Sequence, residues 1–396
     1  MLSIIDKLII SFLYINVLTS QQTILNFPIT KTIILLSIYI YAIYFLGRHQ
    51  SSISKRFCIY IISTIIFITI LTLISICNNN DFSNIQQFIY PFFILVTIPL
   101  FGSLFEAYGI ERYLRHLLFA VVLLATATSV IYFITAENRG IAFLINDHSN
   151  NFQITYPDFG PRVLSKTGAF FPSGLLLALF FLLRERKMRY GLYFILISFA
   201  LYHNHTFTII VAGLVTLYLF VVMFDKSHVR KIFSAVIGIC VVVMVGALYL
   251  NDTYAHKKQS LDIKVEQTYK AWEIFSEGPI VGQGLGFVFQ NMDDRLTDTL
   301  VLEVSYMTIL ASTGFFGVIF YLFIYLYYPI IGFLHNHLDR GYTKLLILCF
   351  LSILIAGSGN PYIFSGGMGL FFIVLLGAVV ERSSIKNAIY VDGQAA

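Results

Sequence analysis

The chain has 396 residues, of which 58% are apolar and 12% are charged, and its formal net charge is +5. Since a soluble domain carries roughly 25% charged residues, this composition excludes an ordinary soluble protein and predicts an all-α, polytopic integral membrane protein. The charge distribution gives no indication of nucleic-acid binding. The 4 cysteines show no paired spacing, so neither a disulfide framework nor a zinc site is predicted.

Apolar blocks recur along the whole length. A helix that crosses a bilayer needs roughly 20 consecutive apolar residues. The sequence predicts about 12 transmembrane helices, at 3–20, 28–46, 57–76, 88–105, 117–135, 167–183, 191–203, 206–224, 232–250, 302–334, 345–358 and 369–380. The first block lacks a clear cleavage site and is interpreted as a retained span. The tenth is too long for one crossing, and we expect a half-immersed helix followed by a span from about Gly314.

The basic residues occur mainly in alternate connections between these blocks, which predicts the orientation. One side receives Lys7, Arg48, Lys55, Arg56, Arg112, Arg115, Arg184, Arg186, Lys187, Arg189, Lys226, Arg230, Lys231, Arg340, Lys344, Arg382 and Lys386. This side is predicted to be cytoplasmic, and both termini lie there. Two long loops, about 136–166 and 251–300, are predicted on the outer side.

Most of the remaining basic residues belong to these outer loops. The first loop contains Arg139, Arg162 and Lys166, and the second contains Lys264 and Lys270. Cations kept outside against the usual bias indicate an anionic ligand, but a long loop can also be translocated regardless of its charge. Both interpretations stay open. No span carries an acid or base near its middle and no internal repeat is found, which disfavours a proton-coupled transporter.

Within the second loop, residues 262–277 predict a short amphipathic helix that lies on the membrane. Its apolar face is formed by Val265, Tyr269 and Trp272. Lys264 and Lys270 are candidate ligand-binding cations of this helix. The glycines that follow, in the stretch VGQGLG, have no βαβ unit around them and predict a tight turn that a ligand or a neighbouring helix approaches closely.

Glu303 stands at the beginning of the tenth apolar block. An isolated carboxylate at a membrane edge costs free energy unless it is paired or hydrogen-bonded. It is a candidate general base. The alternative is an acid that only stabilises the beginning of a helix through the helix dipole.

Two further pairs of polar residues flank apolar blocks. His203 and His205, in the short outer turn HNHT, lack the additional ligands of a metal site and are candidates for hydrogen bonds to a polar ligand or to lipid headgroups. Arg162 and Lys166 precede the sixth block in RVLSKTGAFFPSG. They either anchor a helix end at the interface or bind a diphosphate.

Three motifs in order resemble the O-antigen polymerase and ligase family. They are the R-x5-G-x-F-F-P pattern from Arg162 to Pro172, the segment WEIFSEGPIVGQGLG, and the E-x-S-Y-x3-L-x3-G-x2-G pattern from Glu303 to Gly317. The resemblance covers roughly the last 240 residues, and the first five spans match only in hydropathy. The number of spans and the large outer loop between the ninth and tenth spans agree with that family.

The resemblance implies a glycosyltransferase of the bacterial inner membrane that needs neither metal nor cofactor. Its donor and acceptor would be undecaprenyl-diphosphate-linked glycans, and its other partners would be membrane lipid, a chain-length regulator and a flippase. In that case Arg162, Lys166 and Lys264 would face the diphosphate, and Glu303 would orient or deprotonate the acceptor hydroxyl.

The chain departs from the family pattern where arginines are usual. His203, Asn204 and His205 stand where the eighth span usually begins with arginine, and Lys264 stands where the outer helix usually has one. Lysine keeps the charge but loses the two-point hydrogen bond. Glu303 in place of the histidine that is common among ligases favours a polymerase. A ligase that acts on lipid A core, a flippase and a non-catalytic export subunit are the alternatives.

Overall fold

The computed structural model describes residues 2–19, 30–48, 53–148, 152–156, 161–204, 206–224, 254–293, 296–335, 340–360 and 368–392. Their backbone is mostly helical. The helices are α1 (Leu2–Leu18), α2 (Thr30–Arg48), α3 (Lys55–Cys77), α4 (Phe82–Ile89), α5 (Ile98–Tyr108), α6 (Ile110–Glu137), α7 (Arg139–His148), α8 (Phe170–Glu185), α9 (Met188–Asn204), α10 (Phe207–Phe224), α11 (Tyr254–Glu277), α12 (Ser305–His335), α13 (Arg340–Ala356) and α14 (Met368–Asp392). A 3₁₀ helix, Tyr90–Thr97, joins α4 to α5.

Every predicted span that falls on described residues overlaps a helix, and the ninth, 232–250, lies outside them. Within the described ranges, 5 helices are long and apolar enough to cross a membrane. They are Lys55–Cys77, Phe82–Tyr108 (α4, the 3₁₀ helix and α5 taken as one run), Ile110–Glu137, Phe207–Phe224 and Ser305–Leu334. The protein is therefore a helical chain with the composition of a membrane protein, and the larger number of crossings stays a prediction.

The chain divides into two compact units. The first consists of Met1–Tyr41, Leu104–Asp252 and Lys344–Ala356, and the second of Ala42–Ser103, Thr253–Thr343 and Gly357–Ala396. Each unit is therefore assembled from segments that are distant in the sequence.

In the first unit, α6, α8 and α9 pack against one another, α1 packs on α6, and α10 packs on α8. Ion pairs join the helix ends. The Arg112 guanidinium lies 2.9 Å from the Asp6 carboxylate, which also accepts a hydrogen bond from the Tyr113 hydroxyl at 2.5 Å. Asp6 is buried, so these two partners offset the cost of removing its charge from water.

The first predicted outer loop contains more regular structure than the sequence indicates. Strand β1 (Phe152–Thr155) pairs antiparallel with β2 (Arg162–Ser165), with Phe152 opposite Ser165 and Thr155 opposite Arg162. Four-residue strands are too short for an alternating pattern to stand out. The all-α prediction therefore misses this hairpin. It also misses a similar hairpin in the second unit, β3 (Phe289–Asp293) with β4 (Leu296–Thr299).

In the second unit, α12 is interrupted at Gly314, whose backbone (φ 61°, ψ −166°) is not helical. This is where the sequence prediction begins a span. The amides of Phe315 and Phe316 donate to the carbonyls of Pro279 and Ile280, both at 2.9 Å. The turn after α11 thus supplies acceptors that the interrupted helix no longer provides.

The VGQGLG stretch packs against the interrupted part of α12 and hydrogen-bonds to its backbone. A Cβ on Gly282 would lie 2.6 Å from the Gly314 nitrogen, and φ is +64° at Gly282. The Gly284 amide donates to the Ser312 carbonyl at 2.6 Å, and the Asn80 side chain donates to the carbonyls of Gln283 and Leu285 at 2.8 and 3.1 Å. The glycines permit close approach of a neighbouring helix, which confirms one of the two predicted roles of this turn.

Candidate functional site

The second unit brings together an opposite-charge pair from two distant segments. Lys264 belongs to α11, and Glu303 belongs to the segment that immediately precedes α12. The Lys264 Nζ lies 3.7 Å from the Glu303 Oε2, and the two side chains are 24% and 29% exposed. The pair is thus partly sheltered but still accessible to a ligand.

A buried glutamine fixes the backbone of Glu303. Gln267 is one turn after Lys264 on α11, its relative exposure is 0%, and its Oε1 accepts a hydrogen bond from the Glu303 amide at 3.1 Å. The Lys264 ammonium donates to the Gly359 carbonyl at 2.8 Å. One face of α11 therefore positions both members of the pair.

Two more hydrogen bonds hold the segment around Glu303. The Leu302 amide donates to the Thr308 Oγ1 at 2.9 Å, and the Ser305 hydroxyl donates to the Asn360 carbonyl at 3.0 Å. Each of these side chains is buried. Since a buried polar group that loses its partner costs roughly 1–3 kcal/mol, these bonds stabilise the conformation of the segment.

An apolar core lies next to the Lys264–Glu303 pair, between α11, the β3–β4 hairpin and the beginning of α12. Its buried members are Ala271, Phe275, Phe289, Met292, Leu302 and Ala311. Ala271 and Phe275 follow Gln267 at intervals of four, so they lie on the same face of α11. The core packs this face against the β3–β4 hairpin and the beginning of α12, which explains why Gln267 points at Glu303.

Lys270 lies on a different face of the same helix. Its Nζ is 2.7 Å from the Glu266 carboxylate and donates to the Asn291 carbonyl at 2.7 Å. The Glu266–Lys270 ion pair joins residues four apart on α11. This contact fastens α11 to β3 rather than bringing Lys270 to Glu303.

The other predicted cations belong to the first unit. The Arg162 Nε, on β2, donates to the Asn204 carbonyl at 3.2 Å. The Arg139 guanidinium lies over the Tyr156 ring, 5.1 Å from its centroid. Lys166 is exposed in the turn before α8. Arg162 and Lys166 are four residues apart in the sequence. A hydrogen bond connects Arg162 to the end of α9.

His203 is buried at the end of α9 rather than open in a turn. Its ring stacks on the Tyr132 ring, with the centroids 3.5 Å apart. His205 lies outside the described residues. Within the described part of the chain, no group of three or more His, Cys, Asp or Glu side chains is arranged to hold a metal ion.

A cavity of about 110 Å³ also lies in the second unit. Aromatic and apolar side chains dominate its wall, which consists of Gln87, Phe88, Pro91, Phe92, Leu300, Val301, Tyr321, Tyr325 and Leu370. Leu300 and Val301 directly precede the segment that carries Glu303. The carboxylate therefore follows the cavity wall within three residues of the chain.

Sequence reasoning did not identify Gln267 as a site residue. A glutamine on a polar helix resembles a solvated side chain, and only the contact between distant segments reveals its role. Its spacing from Lys264, three residues on one helix face, is the one signal that the sequence contains.

The chain was also compared with known proteins. It matches no known family model, and no curated protein matches it significantly.

Proposed function

We propose that the protein is a polysaccharide polymerase of the O-antigen type, which joins undecaprenyl-diphosphate-linked repeat units. The observation that supports this proposal is the Lys264–Glu303 pair at 3.7 Å, held at the beginning of an apolar helix. A lipid-linked substrate presents its diphosphate at the membrane surface, where such a helix begins. There a cation can stabilise the negative charge on the leaving diphosphate, and a carboxylate can accept the proton of the acceptor hydroxyl.

In the proposed reaction, a sugar hydroxyl of the acceptor attacks the anomeric carbon of the donor. A carbon–oxygen bond forms there while the bond to the diphosphate oxygen breaks, and the electron pair of that bond leaves with undecaprenyl diphosphate. Glu303 takes the proton of the hydroxyl. The Lys264 ammonium then stabilises the charge on the leaving oxygen.

The proposal has two further parts. The protein belongs to the bacterial inner membrane with both termini in the cytoplasm, so that the loops at 136–166 and 251–300 face the periplasm. Arg162, Lys166 and Arg139 contribute positive charge for the diphosphate or the glycan, and His205 contributes a hydrogen bond to a polar ligand. A flippase would supply the substrate, and a chain-length regulator would act with the polymerase.

The test uses the purified full-length chain in lipid vesicles with synthetic lipid-linked repeat units, with and without a chelator. We expect products of two or more joined units in both conditions. Absence of product, while a known polymerase extends the same substrate, would contradict the proposal. Transfer to lipid A core without joining of units would instead assign the chain as a ligase.

A further inference from the structure

Helix α11 has three distinct faces, and one of them is apolar yet exposed. Gln267, Ala271 and Phe275 are buried against the second unit. Val265, Tyr269 and Trp272 are 44%, 69% and 54% exposed and lie roughly a third of a turn away. The third face is charged and contains Asp262, Glu266, Lys270, Glu273 and Glu277.

The exposed face continues into the surface of a predicted membrane span. The Trp272 ring contacts the Phe275 ring at 5.2 Å between centroids, and the Phe275 ring contacts the Phe315 ring edge-on at 5.2 Å. Phe315 is the first residue after the interruption at Gly314. Ile280 and Val281, in the turn that follows α11, are 71% and 39% exposed.

Beyond Phe315, exposed apolar residues form one stripe along α12. They are Phe315, Ile319, Leu322, Leu326, Ile330 and Phe333. Intervals of three and four residues place them on one face. Because this helix is long and apolar enough to cross a membrane, we expect acyl chains to cover the stripe.

We propose that the Val265, Tyr269 and Trp272 face of α11 binds the bilayer surface, with its rings at the boundary between headgroups and acyl chains. Tyrosine and tryptophan favour this boundary because each combines an apolar ring with a polar group. The buried face of the same helix holds Lys264 and Gln267, so lipid contact fixes the height of these residues relative to the membrane.

The charge of α11 distinguishes this contact from electrostatic attraction to anionic lipids. Its four lysines balance its four carboxylates, so the helix has no formal net charge apart from His256. The binding free energy therefore comes from apolar area. The face binds zwitterionic phosphatidylcholine as well as anionic lipid.

The protein contains a probe at the right position, since Trp272 is its 1 tryptophan. The full-length chain is placed in phosphatidylcholine vesicles in which the acyl chains are brominated either near the headgroup or near the bilayer centre. We expect tryptophan emission to fall more with bromine near the headgroup, and aqueous iodide to quench it weakly. Replacing part of the lipid by phosphatidylglycerol leaves both results unchanged.

Three outcomes would overturn the proposal. Strong iodide quenching without bromine quenching places the face in water. Protection from both quenchers means that protein covers it, for example a second copy of the chain. Stronger quenching by bromine near the bilayer centre places the ring too deep. The wild-type protein is used throughout, so misfolding of a variant cannot produce these results, and they are independent of the proposed reaction.

Discussion

Two partly buried carboxylates in this molecule have opposite kinds of surroundings. Glu185, at the end of α8, has charged or polar partners close to both oxygens: they lie 2.9 Å from the Arg115 guanidinium and 2.8 Å from the Lys187 ammonium, and the Tyr190 hydroxyl donates to the carboxylate at 2.9 Å. Its side chain is 11% exposed. Glu303 is 29% exposed, and the Lys264 ammonium lies at 3.7 Å, beyond hydrogen-bond distance.

The difference separates a carboxylate that holds helices together from the one that we propose as the general base. The partners of Glu185 come from α6, α9 and the connection between α8 and α9, so they fasten these elements. At Glu303 the backbone amide donates a hydrogen bond to Gln267, and the Lys264 ammonium faces the carboxylate across 3.7 Å. A general base needs a fixed position together with room for its substrate.

Replacing the cation of the pair sharpens this contrast most. We expect Lys264→Met to reduce the rate of glycan joining by about 100-fold, as for the removal of one group that stabilises charge in a transition state. The measurement is the initial rate in vesicles at equal amounts of folded protein. Lys187→Met is the matched control at Glu185, and an equal loss of rate in both variants would remove the distinction.

Gln267→Leu tests whether the backbone of Glu303 must be fixed. The change preserves most of the buried volume but leaves the Glu303 amide without its acceptor, and we expect about a tenfold lower kcat, equivalent to about 1.4 kcal/mol in the barrier. KM changes less, because the lost contact positions a residue and binds no substrate. Asparagine at this position is too short to restore the bond. An unchanged kcat would show that the other hydrogen bonds suffice.

Arg162→Lys examines the first unit. The charge is kept, but the Nε–H that donates to the Asn204 carbonyl is lost. We expect a KM for lipid-linked substrate about fivefold higher, in line with the net value of roughly 1 kcal/mol for one hydrogen bond. The comparison variant is Arg139→Lys, because the guanidinium of Arg139 stacks on the Tyr156 ring. A lower KM in Arg162→Lys would contradict substrate binding there.

The smallest effect on rate is expected for Glu185→Gln, which should leave the activity per folded molecule unchanged. Burial by itself would raise the pKa of Glu185, but hydrogen bonds from Lys187 and Tyr190 and the nearby Arg115 outweigh burial and lower it. Thermal unfolding of this variant should show a loss of about 2 kcal/mol in the free energy of unfolding at neutral pH.

The same variant gives a pH dependence with a defined sign. Because the folded pKa of Glu185 lies below the unfolded value, its stabilisation is complete above the unfolded pKa and is lost as the pH falls through the folded pKa. The stability difference between wild type and Glu185→Gln should therefore shrink in acid. A difference that grows as the pH falls would contradict this assignment.

The helices were predictable because long apolar blocks leave few alternatives, and the interruption of α12 was predictable because the block exceeds one crossing and contains Gly314. The hairpins were not, since strands of four or five residues have too little periodicity. Lys264 and Glu303 were predicted separately as site residues. Their contact depends on Gln267 and on the core around Phe275, which join segments almost 40 residues apart in the sequence.

The faces of α11 show the same limit. The period of the helix correctly places Val265, Tyr269 and Trp272 together, but the face that packs against the protein is formed by Gln267, Ala271 and Phe275. Composition alone does not reveal this second face, because an alanine and a glutamine carry little apolar signal. Only packing against the β3–β4 hairpin distinguishes the two.

The most direct test of the account is the rate of glycan joining by Glu303→Gln in vesicles that contain the purified chain. Glu273→Gln, an exposed carboxylate on the charged face of α11, serves as the control. We expect Glu303→Gln to lose at least about 100-fold in rate with an unchanged unfolding temperature, while Glu273→Gln keeps the wild-type rate. A Glu303→Gln protein that joins repeat units as fast as wild type would contradict the central claim.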